Sequence, residues 1–311
     1  MRVLVTGGAG FIGSNIAQAA LERGFCVRVL DNLSPGSLTN LKGLDVEFVN
    51  GDVVNEKTVD NALKDVDYVF HEAATSSSPM FDVAPQRGVS VNIQGFLNVL
   101  HYGQKNGVQK VVYAMTSTMY GNTPSPWKET GASAERCPNM YAFSLFARSS
   151  LARIYKEQHG VQTVGLVYFS VYGPHERAKG KYANIISQFI WSMGHGERPI
   201  LYGDGSQTRD FVHVHDVAEA NLLAAESKIS GEIVNVGSGK ATAMNEVVEE
   251  INRLVEKKLE PIYMPNPIHG YVYHTLADTE KARHLLDFEP KISVKEGIGQ
   301  LVSYYNSKNG Y

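Results

Sequence analysis

The chain has 311 residues, 43% of them hydrophobic, enough to bury one large core or two modest ones. Its 29 basic and 32 acidic residues leave a formal net charge of −3, so no global basic field points to nucleic acid or an anionic membrane. The two cysteines, Cys26 and Cys137, stand far apart without metal-ligand spacing, which argues against a disulfide framework and against a metal site, and no apolar run approaches the ~20 residues that span a bilayer.

The first element begins at once, with no signal-peptide pattern before it, and a cytoplasmic location is expected. Arg2-Val3-Leu4-Val5-Thr6 is a short apolar run, followed by a glycine-rich turn and then by apolar residues at helical spacing. The order is strand, phosphate loop, helix. Gly7, Gly10 and Gly13 let the strand turn sharply while backbone N–H groups approach a diphosphate with no Cβ in the way, and the helix that begins at Phe11 and Ile12 points its positive end at that charge. After a second apolar run, Val27 to Leu30, stands Asp31, roughly twenty residues beyond the glycines, where an acid hydrogen-bonds a ribose 2′-hydroxyl. The competing reading of Asp31 is a surface turn with Asn32 and Leu33.

Ser34-Pro35-Gly36-Ser37 is loop chemistry, and Val46 to Val49 reads as a third strand ending at Gly51-Asp52. Asp52 and Val53 are placed to reach an adenine edge, or else to cap a helix. Tyr68 to Phe70 is a fourth strand that runs into His71-Glu72-Ala73-Ala74, where small residues at a strand end leave room for a ligand. His71 itself reads as a packed or turn histidine. A helix from about Pro85 to Gly107 precedes the strand Lys110 to Ala114; a long helix from about Asn139 to His159 precedes the strand Thr163 to Val167. This alternation predicts an α/β fold with a doubly wound parallel sheet.

Beyond Tyr172-Gly173-Pro174 the alternation breaks down into a helical stretch, Ile185 to Met193, and turn-rich pieces, as expected of a smaller mixed domain closing over the sheet. Glu232 to Gly237 regains strand character. Helices are expected at about Met244 to Lys257 and Val294 to Asn306. The expected division is residues 1–170 plus about 212–237 for a dinucleotide-binding domain, and 171–211 plus about 238–311 for a substrate domain.

Candidate chemistry lies at the end of the fifth strand, Thr116-Ser117-Thr118-Met119-Tyr120-Gly121, and at the start of the long helix, Tyr141-Ala142-Phe143-Ser144. A strand-end hydroxyl and a tyrosine on the next helix can both face a nicotinamide bound across the sheet. Together with Thr6 through Gly13, Asp31-Asn32, Gly51-Asp52, His71 through Ala74, Tyr172-Gly173-Pro174 and Gly205 through Val214, these residues resemble the extended short-chain dehydrogenase/reductases. Within that superfamily the pattern is similar to the NAD-dependent epimerase/dehydratase family, and especially to nucleotide-sugar epimerases of the UDP-galactose 4-epimerase type. The resemblance spans nearly the whole chain.

It implies a Rossmann sheet, NAD as cofactor, a homodimer, and a nucleotide-sugar substrate, with a UDP-hexose the best match. Tyr141 matches the general base for a sugar hydroxyl, Thr116 the hydroxyl that bonds the same oxygen, and Ser117 is its fallback. The implied cofactor set is Gly7, Gly10, Phe11, Ile12, Gly13, Asp31, Asn32, Asp52, Val53, Ala73, Ala74, Asn92, Tyr141, Leu145 and Tyr168. The implied substrate set is Ser76, Thr116, Thr118, Tyr141, Ser170 and Arg209, the last pairing with the diphosphate through its planar fork of donors. A surface ion pair with Asp210 is the competing reading of Arg209. Family members that eliminate water or decarboxylate usually carry glutamate where this chain has Thr118, so C4 oxidation and re-reduction fits best. A dehydratase is the same-class alternative.

Three departures stand out. The lysine usual one turn after the tyrosine, which holds the nicotinamide ribose and lowers the tyrosine pKa, is Leu145. An asparagine common before Tyr-Gly-Pro is Ser170, and an arginine often seen in the segment Asn266 to Tyr271 is absent. In isolation Leu145 is an ordinary core leucine; at this place it makes a non-catalytic NAD- or nucleotide-sugar-binding protein the different-class alternative. Arg148, seven residues from Tyr141, shares its face but sits about two turns away, which argues against its directly taking over the lysine's role.

Overall fold

Val3, Leu4 and Val5 are completely buried in β1 (Arg2–Thr6), as a central parallel strand covered on both faces requires. The computed structural model describes residues 1–266 and 271–307. Beside β1 lie β2 (Cys26–Asp31), β3 (Val46–Asn50), β4 (Tyr68–His71), β5 (Lys110–Thr116) and β6 (Thr163–Tyr168). Three short strands follow, β7 (Ser170–Tyr172), β8 (Ile200–Tyr202) and β9 (Thr208–His213); then come β10 (Glu232–Val236), β11 (Ala241–Ala243) and β12 (Ile262–Met264).

Seven of these strands form one parallel sheet in the order β10-β6-β5-β4-β1-β2-β3. The chain winds outward from β1 through β2 to β3, then returns to β4 on β1's other side, with Val5 paired to Val29 and to Phe70. A crevice opens at the carboxyl ends of β1 and β4, where the winding reverses. Alternation along β1 divides the packing: Val3 and Val5 face one core with Ile16 and Val217, and Leu4 faces another with Phe96 and Leu100. The sheet is the expected doubly wound one.

The helix Val214–Glu226, which the sequence pattern did not reveal, lies against the helix Phe11–Glu22. Ala17, Ala20, Ala218 and Ala220 are buried there, and small side chains let the two axes approach closely. Arg23 ties the outer ends together through Glu219 at 2.6 Å and Glu226 at 2.7 Å.

A second lobe has its own core of Ile186, Phe189, Val247, Ile251, Leu301 and Tyr305. Its strands form a three-stranded sheet, β11-β9-β7, and a parallel pair of β12 with β8. The anticipated division at residues 211–212 falls inside β9, whose Phe211 to His213 pair with Ser170 to Tyr172. The helix anticipated over residues 85–107 runs from Pro85 to Lys105 and contains a π-helical turn, Ser90–Gln94. Of the arginine-lacking segment, residues 267–270 lie outside the described residues. Among the described residues no helix is long and apolar enough to cross a membrane.

Candidate active site

The glycine-rich turn is built as its spacing demands. Gly7 has φ +69°, and a Cβ there would lie 2.7 Å from the Ala73 amide nitrogen; a Cβ at Gly13 would meet the Gly7 carbonyl oxygen at 2.3 Å. Gly10 stands at the N-terminus of the helix Phe11–Glu22, whose first turn carries no acidic residue to oppose the helix's positive end. Asp31, at the end of β2, accepts the Ala9 amide at 2.9 Å and the Leu33 amide at 2.6 Å, so it braces the loop as well as lining the cleft. Burial raises its pKa, against those hydrogen bonds.

A cleft of about 470 Å³ lies between the strand ends and the second lobe. It brings together Gly7, Gly10, Phe11, Ile12, Gly13, Asp31, Asn32, Asp52, Val53, Ala73 and Ala74. Ser76, Thr116, Tyr141, Leu145, Tyr168 and Ser170 line the same cleft. Asp52 lines the cleft and accepts the Val54 amide at 3.0 Å in a local turn, but it caps no helix: Asn55 caps Glu56–Ala62 through the Thr58 amide at 3.0 Å. Burial works to raise the Asp52 pKa, but the Val54 amide, Arg87 and Asn32 together hold it below the usual range. Arg87, another cleft residue, pairs with it.

Four anticipated residues stand outside that lining. Ser117 and Thr118 occupy the short helical turn Ser117–Tyr120, where Thr118 accepts a hydrogen bond from Thr116 Oγ1 at 3.1 Å. Asn92, fully buried in the π turn, accepts the Thr75 amide at 2.8 Å and donates to the Ser144 hydroxyl at 2.9 Å, fixing the loop after β4 to the long helix. Arg209 lies over the Tyr271 ring at 4.9 Å and donates to the carbonyls of Thr208 and Tyr273. The ion pair with Asp210 does not form: Asp210 turns to the amides of Ser238, Gly239 and Ala277.

Thr116 ends β5, and Tyr141 opens the helix Met140–His159, which Asn139 caps through the Ala142 amide at 2.9 Å. The strand end and the helix start thereby deliver a hydroxyl and a phenol to the same part of the cleft. Burial raises the Tyr141 pKa, while contact with Thr116 and the charge of Arg148 act to lower it. His71 is a packed histidine: its Nδ1 meets the Thr6 hydroxyl at 2.8 Å, its ring lies on Phe96, and burial depresses its pKa well below the usual value.

Two features escaped the sequence reading. Burial raises Glu72, which lines the cleft, to about 7, and its carboxylate accepts the Tyr168 hydroxyl at 2.8 Å. Tyr168 in turn accepts from Asn221 at 2.8 Å. An acid between a buried strand end and two alanines was the available signal. The segment after Pro174 also lines the cleft, and there Lys179 sits 5.6 Å from the Phe11 ring and 3.6 Å from Glu176. The Lys179-Gly180-Lys181 cluster behind Tyr-Gly-Pro was the cue. Arg148, which the sequence set on the Tyr141 face about two turns away, is fully buried and donates to the carbonyl oxygens of Asn92, Ala114 and Ala73 at 2.9, 3.0 and 2.9 Å.

A glycine turn on a helix N-terminus, a strand-end acid and a switch-point cleft define a dinucleotide-binding α/β enzyme fold. The model of the NAD-dependent epimerase/dehydratase family matches residues 3–237, and the chain belongs to that family. NAD is the family's cofactor, and the cleft fits it: the positions where Cβ atoms would collide with backbone are glycines, beside Asp31. The chain is 37% identical, over 99% of both lengths, to a Methanocaldococcus jannaschii protein whose name carries UDP-glucose 4-epimerase as an inferred activity. It is 33% identical to the UDP-N-acetylglucosamine 4-epimerase of Methanobrevibacter ruminantium, solved with UDP-N-acetylmuramic acid, at a TM-score of 0.93 over 99% of this chain and 98% of that one. The UDP-glucose 4-epimerase of Thermotoga maritima, solved with UDP-glucose, is also 33% identical, at a TM-score of 0.92 over 99% and 100% of the two chains.

Proposed function

We propose that the protein is an NAD-dependent nucleotide-sugar 4-epimerase acting on a UDP-hexose. What carries the reading is the meeting of Tyr141 and Thr116 in a cleft built for a dinucleotide, with Thr118 where the family's eliminating and decarboxylating members usually have glutamate. The kinship with UDP-sugar 4-epimerases supports it.

NAD, when bound, supplies a reversible hydride acceptor for C4. Tyr141 takes the C4 hydroxyl proton and later returns it, and Thr116 bonds the same oxygen and holds it in place. The 4-keto sugar turns over between the two proton transfers. The glycine turn, Asp31, Asn32, Asp52, Val53, Ala73 and Ala74 hold the cofactor in residues 1–170 and 212–237. The nucleotide-sugar lies toward residues 171–211 and 238–311, with Ser76, Ser170 and Arg209 among its contacts.

The chain pairs as a homodimer through the helices spanning 85–105 and 140–159, where Met140 (52%) and Phe143 (40%) expose apolar surface. A dimer mass in light scattering at micromolar concentration is expected, and a monomer counts against the pairing. Leu145 favours one second reading, a protein that binds NAD and nucleotide-sugar without turnover. Incubation with UDP-, GDP- and dTDP-sugars followed by NMR separates the two: epimers of one UDP-sugar support the proposal, and binding without product supports the alternative.

A further inference from the structure

Arg148 is the largest fully buried side chain of the described residues, and a buried guanidinium is costly unless its donors are satisfied. Its donors are satisfied by carbonyl dipoles rather than by a carboxylate. They reach Ala73 in the loop after β4, Ala114 two residues before Thr116, and Asn92 in the π turn. None of the ion pairs among the described residues includes it. Its charge is therefore held in a dry interior without a contacting counter-ion, and such a charge projects its field far more strongly than one in water.

We propose that Arg148 is the cation that stabilises the Tyr141 phenolate in this chain, acting from beneath the cleft where Leu145 carries no charge. The inference rests on Tyr141 being the base of the proposed reaction. Arg148 is a positioning residue, because it acts through Tyr141 and not on substrate.

The neighbours show why Tyr141 is the group that benefits. Burial holds Tyr113, on β5, and Tyr168, on β6, far above the usual tyrosine range, and Tyr168 is committed to Glu72. His71 is kept neutral by burial. Burial raises the Tyr141 pKa as well, but Tyr141 alone of the three has the Thr116 hydroxyl beside it, two residues beyond the Ala114 carbonyl that Arg148 holds at 3.0 Å. Glu72 is the opposing charge: once ionised it offsets Arg148, so the field on Tyr141 is strongest while Glu72 is protonated.

The test is a titration of the full chain labelled with ¹³Cζ-tyrosine, with NADH bound because it survives alkali, and with Tyr141→Phe identifying the resonance. Arg148→Met is expected to raise the Tyr141 midpoint by at least ~1 pH unit, a tenfold loss of phenolate at fixed pH. Arg148→Lys, which keeps the charge without the planar fork of hydrogen bonds, is expected to hold the midpoint near that of the unmodified protein, as a purely structural brace would not. If Arg148→Met does not fold, Glu72→Gln tests the same field from the other side and lowers the midpoint. An unchanged midpoint in folded Arg148→Met, or in Glu72→Gln, overturns the proposal. The midpoints are read without turnover, so shifts as expected alongside no epimerisation would retain the role of Arg148 and remove the proposed function.

Discussion

Leu145 stands one helical turn beyond Tyr141, 3% exposed, and both side chains line the same cleft. A lysine there would lower the tyrosine pKa directly; a fall of ~3 units would multiply the phenolate near neutrality up to ~10³-fold, about 4 kcal/mol of barrier. That ceiling is not reached here, because Arg148 and Thr116 already act against the burial that raises the Tyr141 pKa. Leu145→Lys is expected to raise the epimerase rate at pH 7 by roughly tenfold, about 1.4 kcal/mol, and to move the rate profile to lower pH. A neutral-pH plateau in the unmodified protein, unchanged by the substitution, would point to a different base.

On the proposed reading, Asp31 sets the preference between the two nicotinamide dinucleotides. Its carboxylate is held by the Ala9 and Leu33 amides, aimed where a ribose 2′-hydroxyl can donate and where a 2′-phosphate would be repelled. NAD is expected to bind at least ~10-fold more tightly than NADP, about 1.4 kcal/mol by calorimetry. Because burial raises the Asp31 pKa, the preference should weaken as pH falls toward that value and the carboxylate neutralises. Equal binding of NADP at pH 8 would remove Asp31 from this role.

Glu72 links stability to pH. Burial raises its pKa from 4.5 to about 7, so the native state holds a proton that the unfolded chain has already lost. Its contribution is fully present below pH 4.5 and is lost as pH rises through about 7. Glu72→Gln removes that loss. Urea denaturation should show the variant gaining on the unmodified protein between pH 5 and pH 8, by up to about 3 kcal/mol. A pH-independent difference would mean that Glu72 is ionised at no cost.

The parts of the fold legible in the sequence were those whose residues face only one physical demand. β1 had to be apolar on both faces, the phosphate turn had to be glycine where a Cβ would strike backbone, and the strand-end acid had to follow the second strand. The pairing of Ser170 to Tyr172 with Phe211 to His213 was not legible, because three-residue strands carry no period and their partners are distant in the chain. The helix Val214–Glu226 was hidden by its alanines, which pack closely without marking an apolar stripe. Glu72 read as a single charge beside a strand, and Arg148 as a residue on the Tyr141 face about two turns away; only the folded chain shows Arg148 buried on the carbonyls of Asn92, Ala114 and Ala73. Arg209, matched by motif to a diphosphate, stands against Tyr271 outside the cleft lining, a placement that motif spacing does not give.

The most direct measurement is the fate of the sugar carbon and the cofactor together. The protein is incubated with UDP-glucose, UDP-galactose and UDP-N-acetylglucosamine, the product is read by proton NMR, and absorbance at ~340 nm follows the nicotinamide. The account predicts interconversion of C4 epimers of at least one of these sugars with no net NADH. It also predicts that Tyr141→Phe lowers turnover by at least ~10³-fold, about 4 kcal/mol, while binding of cofactor and nucleotide-sugar persists. A keto, unsaturated or decarboxylated product, NADH accumulating in step with product, or a full rate in Tyr141→Phe would contradict it.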